Sequence, residues 1–250
     1  MRIDLIDATA GEGFEALPPT TVSFISGQVT LIVAETAQRP TLLALLASGR
    51  MTPTGGSVTR HPDSGDDALR ASTAVVDAPD ISDPAPGLRL DAVVQEELMF
   101  AGLPSSSAEV HDVLDSVDAL DFARSSIEHV PPVLRLRVLA GLAARRPGVE
   151  AIVLTSPDRH GGDPFEWYSV AEELAEQGLA VLVIAGAASV SLLDAALPDA
   201  ALPDAAHAEP DAPEEPEAPR QEAPESAVPE IEPLVMPNPS EPNPSEEEQS

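Results

Sequence analysis

Residues 33–49, VAETAQRPTLLALLASG, join an apolar run to a leucine-rich segment. The run QVTLIV at residues 28–33 is typical of a buried strand, and TLLALLASG is typical of a helix. A strand, a short turn and a helix is the layout of a phosphate-binding loop, which depends on glycines and a lysine. This turn has neither, so the stretch is open to three interpretations: a nucleotide site, the remains of one, or an ordinary strand-turn-helix unit.

The composition excludes several kinds of chemistry. The 250 residues suit one large domain, or one domain with an appendage. Because there is no cysteine, disulfides and thiolate metal sites are excluded. All 13 basic side chains are arginine, so no mechanism can use a catalytic or phosphate-binding lysine. With a formal net charge of −30 the chain has no basic footprint, and we expect no nucleic-acid binding.

Two segments bear on the compartment. The N-terminal MRIDLIDATAGEGFEAL has early acids and no long apolar stretch, so it does not have the pattern of a signal peptide. The longest apolar run, LAVLVIAGAASVSLL, is about 15 residues long, and a spanning helix needs about 20. We therefore expect a soluble cytoplasmic protein without a transmembrane segment of its own.

The composition changes at residue 194. Residues 194–250 hold 16 Asp or Glu, a single arginine and 13 of the 27 prolines. Few large apolar groups and many like charges cannot offset the entropy of ordering, so we predict a disordered acidic tail. Its apolar patch IEPLVMP, residues 231–237, is a candidate partner-binding segment, although a purely solubilising tail is the simpler interpretation. The folded domain is predicted over residues 1–193.

The folded part alternates between two hydrophobic patterns. Seven runs are predicted strands: RIDLIDA, TVSFIS, QVTLIVA, GSVTR, STAVVDA, EAIVLTS and LAVLVIAG. Helical patterns cover residues 40–48, 90–101, 106–120, 133–146 and 164–177, and Ser106 with Glu109 forms a capping box. Continuous apolar runs are typical of a parallel sheet. The pattern predicts an α/β fold whose sheet is mostly parallel, with flanking helices and a β-rich N-terminal edge.

In order and spacing these pieces resemble the ATP-binding cassette of ABC transporters, which has a P-loop NTPase fold. Residues 23–33 are similar to the strand that enters the Walker A loop, and residues 41–58 to the helix and return strand after it. Residues 74–103 resemble the Q-loop and the first helices of a small helical subdomain, here at about residues 80–135. Residues 134–164 resemble the helix after the signature motif and the Walker B strand. The final run LAVLVIAG resembles the strand before the switch histidine.

The Walker A position has lost the residues that the resemblance requires. The frame G-x-x-G-x-G-K-[ST] falls on residues 33–40, VAETAQRP, so every glycine is replaced. Glu35 adds a negative charge, and Pro40 stands where a Mg²⁺-binding hydroxyl belongs. Arg39 keeps a positive charge and Thr41 a hydroxyl one position later. Arg39, Pro40 and Thr41 are thus the candidate residues of a vestigial phosphate site.

The other motif positions are altered in the same way. Asp77 falls at the Q-loop glutamine, and VPPVL at residues 130–134 falls at the signature motif. Thr155 and Ser156 fall at the Walker B acids, and Gly186 at the switch histidine. The resemblance therefore implies a pseudo-ATPase with no catalytic residue, no ATP or Mg²⁺ cofactor and no metal site.

Other candidate sites are few. Asp158 lies too late for the Walker B acid and is expected in the loop that follows. That loop, RHGGD at residues 159–163, could hold a phosphate or carboxylate through Arg159 and the glycine amides, but a flexible connection is the simpler interpretation. The histidines at positions 61, 111, 129, 160 and 207 do not have metal-ligand spacing.

Three functions remain open at this point. The first is a cassette-like subunit without ATPase chemistry, peripheral at the inner face of the cell membrane, whose partners are a membrane transporter subunit, a second ATPase cassette or both. The second is a working ATPase, alone or through a composite site. The third is a soluble scaffold that acts through its acidic tail.

Overall fold

The computed structural model describes residues 1–11, 17–36, 39–62 and 65–196. The strands are β1 (Arg2–Ala10), β2 (Leu17–Ile25), β3 (Val29–Val33), β4 (Gly55–His61), β5 (Thr73–Val76), β6 (Ala151–Thr155) and β7 (Ala180–Ala185). The helices are α1 (Arg39–Ala47), α2 (Asp66–Ser72), α3 (Leu90–Phe100), α4 (Ser107–Asp115), α5 (Pro132–Ala144), α6 (Pro164–Glu176) and α7 (Ala187–Ala196). Each predicted strand run overlaps one of the observed strands, so those strands are confirmed, although β1, β2 and β4 extend beyond their predicted runs.

The described strands form two sheets. Strands β2, β1 and β4 form an antiparallel sheet in that order, which is the predicted β-rich edge. Strands β3, β7, β6 and β5 form a fully parallel sheet in that order. The central strands β6 and β7 are buried along their whole length, as their continuous apolar sequences predict. The predicted fold class is confirmed.

The parallel sheet separates two hydrophobic layers. Alternate side chains of β6 point to opposite faces, so Ile152 and Leu154 belong to one layer and Val153 to the other. On the Val153 side, α1 and the antiparallel sheet complete the core. On the Ile152 side, helices α3 to α7 complete it. This layering brings the loops that leave β3, β5, β6 and β7 to one edge of the parallel sheet.

Helices α3 and α4 lie within the predicted helical subdomain. Ser106 caps α4, because its hydroxyl accepts a hydrogen bond from the Ala108 amide and also contacts the Glu109 carboxylate. The predicted helix over 106–120 is too long, since α4 ends at Asp115 and a short 3₁₀ turn, Leu120–Phe122, follows. Gly178 has a φ of +91°, as predicted for the end of α6.

Two helices were not predicted. Helix α2 is short. Only Gly186 separates α7 from the last strand, so the local sequence offers no side chain that could cap the start of α7. Because α7 continues to Ala196, folded structure extends three residues past the predicted boundary at 193. The remaining tail, residues 197–250, lies outside the described residues. In the part of the chain that the structure describes, no helix combines the length and apolarity needed to cross a bilayer.

Candidate functional site

The loop between β3 and α1 lies at the carboxyl edge of the parallel sheet. The Ala34 amide donates to the Ala185 carbonyl at 3.1 Å, and this bond continues the pairing of β3 with β7 beyond the strand. The Arg39 amide donates to the Thr36 carbonyl at 3.1 Å as α1 begins. Residues 37 and 38 of the Walker A frame lie outside the described residues.

The three candidate phosphate-site residues open α1. Pro40 is buried in its first turn, where proline is well tolerated, and offers no amide hydrogen to an anion. The Thr41 hydroxyl is directed to the Pro79 carbonyl at 3.5 Å, toward the segment after β5. Arg39 is half-buried at the helix start. Whether these residues bind phosphate stays a prediction.

Two carboxylates from separate loops meet at the start of α7. The Asp158 carboxylate accepts the Gly186 amide at 2.8 Å and the Ser189 hydroxyl at 3.2 Å. The Glu35 carboxylate accepts the Ala187 amide at 2.8 Å. Glu35 lies in the Walker A frame, Asp158 follows the Walker B strand, and Gly186 stands at the switch position. Two positions that the resemblance assigned to motifs, Glu35 and Gly186, are therefore joined with Asp158 in one cluster. This cluster, the α7 cap, consists of Glu35, Asp158, Gly186, Ala187 and Ser189.

The α7 cap is stabilised by the polarity of the helix. The first amides of a helix lack intrahelical partners and carry partial positive charge, so carboxylates are favoured there. Gly186 leaves room for both carboxylates. A Cβ at this position would lie 2.8 Å from Glu35 Oε2 and 2.9 Å from Asp158 Oδ2. The helix start that could have received an anionic ligand is thus filled by the protein's own carboxylates.

A second carboxylate, Asp77, is buried at the end of β5. Only 2% of its side chain is exposed, and its φ of +56° lies in the left-handed region. The Arg135 guanidinium binds it in a bidentate manner, with Nη2 2.6 Å from Oδ1 and Nε 3.1 Å from Oδ2. Arg135 is itself buried on α5. Such a paired geometry is what a buried charge requires.

Two residues of the RHGGD loop also contact Asp77, and with Arg135 they form the Asp77 cluster. Arg159 Nη2 lies 3.1 Å from Asp77 Oδ1 and 3.4 Å from Asp83 Oδ2. His160 Nε2 lies 2.8 Å from Asp77 Oδ2. Arg159, a candidate for holding a phosphate or carboxylate ligand, pairs with the chain's own Asp77. Whether this loop also binds a ligand stays a prediction.

The electrostatics of Asp77 favour its ionised form. Burial raises the pKa of this carboxyl, but the hydrogen bonds from His160 and Arg135, with the charges of Arg135 and Arg159, outweigh burial and lower its pKa below the ordinary value. Asp77 therefore remains charged near neutral pH. It links the chain entering the helical subdomain, helix α5 leaving it, and the loop after β6.

The other positions that the resemblance assigned to motifs lie at the ends of α5 and β6. Pro131 and Pro132 lie at the start of α5, where proline fits the first helical turn but donates no hydrogen bond. Thr155 is the buried last residue of β6. Ser156 has a φ of +49°, and its amide donates to the Ile184 carbonyl at 2.8 Å. Within the described ranges, no three His, Asp or Glu side chains converge as metal ligands would.

Sequence reasoning named Glu35, Asp77, Asp158 and Gly186 but missed how they are connected. Arg135 and Ser189 were not singled out at all. Arg135 could have been noticed because it interrupts the apolar pattern of α5, a helix that is predicted to pack on the sheet. Arg137, two residues later, is the next arginine of that helix. The partner of a buried arginine cannot be identified from its own segment.

Comparison with known proteins supports the fold. No protein-family model and no curated protein matches the chain. Among solved structures, the dimeric structure of a bacterial ABC transporter cassette is 17% identical, with a TM-score of 0.56 and coverage of 76% of this chain and 90% of that one. A nucleotide-free ATP-binding cassette from an ABC transporter is 16% identical, with a TM-score of 0.55 and coverage of 77% and 84%.

A putative ABC transporter ATP-binding protein from Pyrococcus furiosus gives a similar result. It is 14% identical, with a TM-score of 0.53 and coverage of 74% of this chain and 92% of that one. At such identities the likeness establishes the fold. The chain has the fold of an ATP-binding cassette, as the resemblance in its sequence implied.

Proposed function

We propose that the chain is a cassette-like subunit that has lost ATP binding and hydrolysis and acts as a structural or regulatory partner of a membrane transport complex. The observation that carries this proposal is the α7 cap. Its Glu35 and Asp158 carboxylates accept the Ala187 and Gly186 amides at the edge where the cassette motifs converge.

The charges of this edge oppose a triphosphate. A phosphate-binding loop needs inward-facing amides, a lysine and a hydroxyl for Mg²⁺. Here the loop brings Glu35, and Asp158 lies against the same helix start, so an incoming phosphate would meet two negative charges. Each charged hydrogen bond that a ligand forgoes is worth about 1.5–3 kcal/mol. Several such losses together reduce affinity by many orders of magnitude.

The chemistry of hydrolysis also lacks its residues. Thr155 and Ser156 offer neither a magnesium-binding carboxylate nor a general base, and Asp158 is bonded to α7. The buried Asp77 is bound by Arg135, Arg159 and His160 and cannot also serve as a free ligand or base. These assignments support a protein with no catalytic residue and no ATP or Mg²⁺ cofactor.

A preserved fold with altered motifs is consistent with a role in docking. We place the protein in the cytoplasm, peripheral at the inner face of the membrane. A membrane transporter subunit or a second cassette would be its partner. In this role the parallel sheet and the helical subdomain maintain the shape of a docking surface. The loops at the carboxyl edge of the sheet are then not required to bind or hydrolyse nucleotide.

Equilibrium binding of ATP to the purified full chain tests the loss of nucleotide affinity. Titration calorimetry with Mg²⁺ and ATP should give no saturable heat, and phosphate release should equal that of buffer. A matched titration with EDTA in place of Mg²⁺ separates specific binding from weak anion effects. Micromolar, Mg²⁺-dependent binding would contradict the proposal and restore the ATPase hypothesis.

Affinity capture from a membrane extract tests the partner role. The bait should be the full chain, and the control a chain that ends after Ala196, the last residue of α7. A polytopic membrane protein held by both baits is the expected result. If the shortened chain loses every partner, the soluble-scaffold function that acts through the tail is favoured instead.

A further inference from the structure

A groove in the helical subdomain lies apart from both carboxylate clusters. Its volume is about 550 Å³, within the range of small-molecule sites. Helix α4 contributes Ser107, Val110, His111 and Leu114, whose spacing of three and four residues places them on one helix face. Helix α3 and the segment 120–124 form the other walls.

The floor of the groove is apolar and its rim carries arginine. Val110 and Leu114 are buried, and Ala123 lies beside them in the lining. The Leu90 amide donates to the Ser125 carbonyl, and the Asp91 amide to the Ala123 carbonyl. This backbone pairing brings the segments that carry the two rim arginines together.

The two rim arginines differ in their pairing. Arg89 forms an ion pair with Asp91. Arg124 is exposed and makes no hydrogen bond or ion pair with any residue that the structure describes. Its surroundings are acidic, because residues 80–135 contain 11 Asp or Glu and three arginines. A free guanidinium here can attract one negative charge, while the surrounding acids repel a polyanion.

We propose that this groove binds a small monocarboxylate with an apolar chain. The Arg124 guanidinium pairs with the carboxylate through two parallel N–H bonds, the geometry that arginine favours. The apolar chain lies along Val110, Leu114 and Ala123 and leaves water as it binds. The surrounding acids disfavour nucleotides and phosphate monoesters, which carry more than one negative charge. The inference is independent of the proposed function, since no residue of the α7 cap or the Asp77 cluster takes part.

Titration of the ¹⁵N-labelled full chain with octanoate tests the site, with octanamide as the neutral probe of the same length. Octanoate should give saturable amide shifts confined to α3, α4 and residues 120–124, and octanamide should bind at least about tenfold more weakly because it lacks the charge. Arg124→Gln should weaken octanoate binding by a similar factor. Arg145→Gln, at an exposed arginine outside the groove, is the matched control and should leave binding unchanged.

A second variant separates the groove from the charge. Ala92 is exposed on the groove wall, so Ala92→Phe fills the space without entering the core and should abolish the octanoate shifts. Equal binding of octanoate and octanamide would overturn the proposal. So would equal losses in the Arg124 and Arg145 variants, or shifts that never saturate.

Discussion

The Asp77 cluster and the α7 cap, both at the carboxyl edge of the parallel sheet, stabilise their carboxylates through different interactions. Asp77 is buried and needs three cationic or hydrogen-bonding partners to remain charged. Glu35 and Asp158 lie nearer to solvent and use the free amides at the start of α7. The first cluster holds distant parts of the chain together through a costly buried charge. The second satisfies a helix end, which needs only an oxygen acceptor.

The comparison explains why the same motif positions can be altered and the fold retained. Where a nucleotide site needs open donors, the α7 cap supplies internal acceptors. Where a Q-loop needs a neutral side chain, the Asp77 cluster supplies an internal ion pair. Under the proposed function, contacts within the chain stand where a cassette would contact its ligand, and the two clusters should differ in how much stability depends on them.

The largest expected effect is at Asp77. Replacing Asp77 by Asn leaves Arg135 buried without its counter-charge, and removing one partner of a buried pair costs about 3–5 kcal/mol. Urea denaturation should show this loss of unfolding free energy. Asp83→Asn is the matched control, because Asp83 contacts the same Arg159 but is 32% exposed, and its loss should be under about 1 kcal/mol.

A double-mutant cycle sharpens this result. The Arg135→Met and Asp77→Asn changes together should cost less than the sum of the two single changes, because the second change removes the uncompensated charge. Strict additivity would show that Asp77 and Arg135 do not stabilise each other, and the account of this cluster would be wrong.

The stability contributed by Asp77 should depend on pH in one direction. Because the pKa of Asp77 is lowered in the folded state, its stabilisation is fully present above the ordinary aspartate pKa and is lost as pH falls through the lowered folded-state pKa. The difference in unfolding free energy between the wild type and Asp77→Asn should therefore be constant near neutral pH and shrink in acid. A gap that widens on acidification would contradict the assigned ionisation.

The α7 cap should show smaller effects. Asp158→Ala removes two hydrogen bonds to the helix start and should cost about 1–2 kcal/mol. Glu35→Ala removes one bond at a more exposed position and should cost about 0.5–1 kcal/mol. Urea denaturation with hydrogen exchange at α7 measures both. If the Glu35 change costs more than the Asp77 change, the ranking of the two clusters is wrong.

The features that could be predicted from the sequence are those that depend on residues close together along the chain. The strands and the helices α1, α5 and α6 depend on local apolar patterns, which the sequence displays directly. Helix α7 was missed because its capping acids come from distant loops, Glu35 being 152 residues from Ala187. The Asp77 cluster joins residues 58 to 83 positions apart, and no local pattern reports such pairing.

The amide signals of Gly186 and Ala187 provide the most direct test of the central claim, that internal carboxylates have replaced a nucleotide at the sheet edge. In ¹⁵N spectra of the full chain, Mg²⁺ with ATP should leave both signals unchanged at neutral pH. A saturable shift of these two amides on adding Mg²⁺ and ATP would show that the edge still receives a nucleotide and would contradict the account.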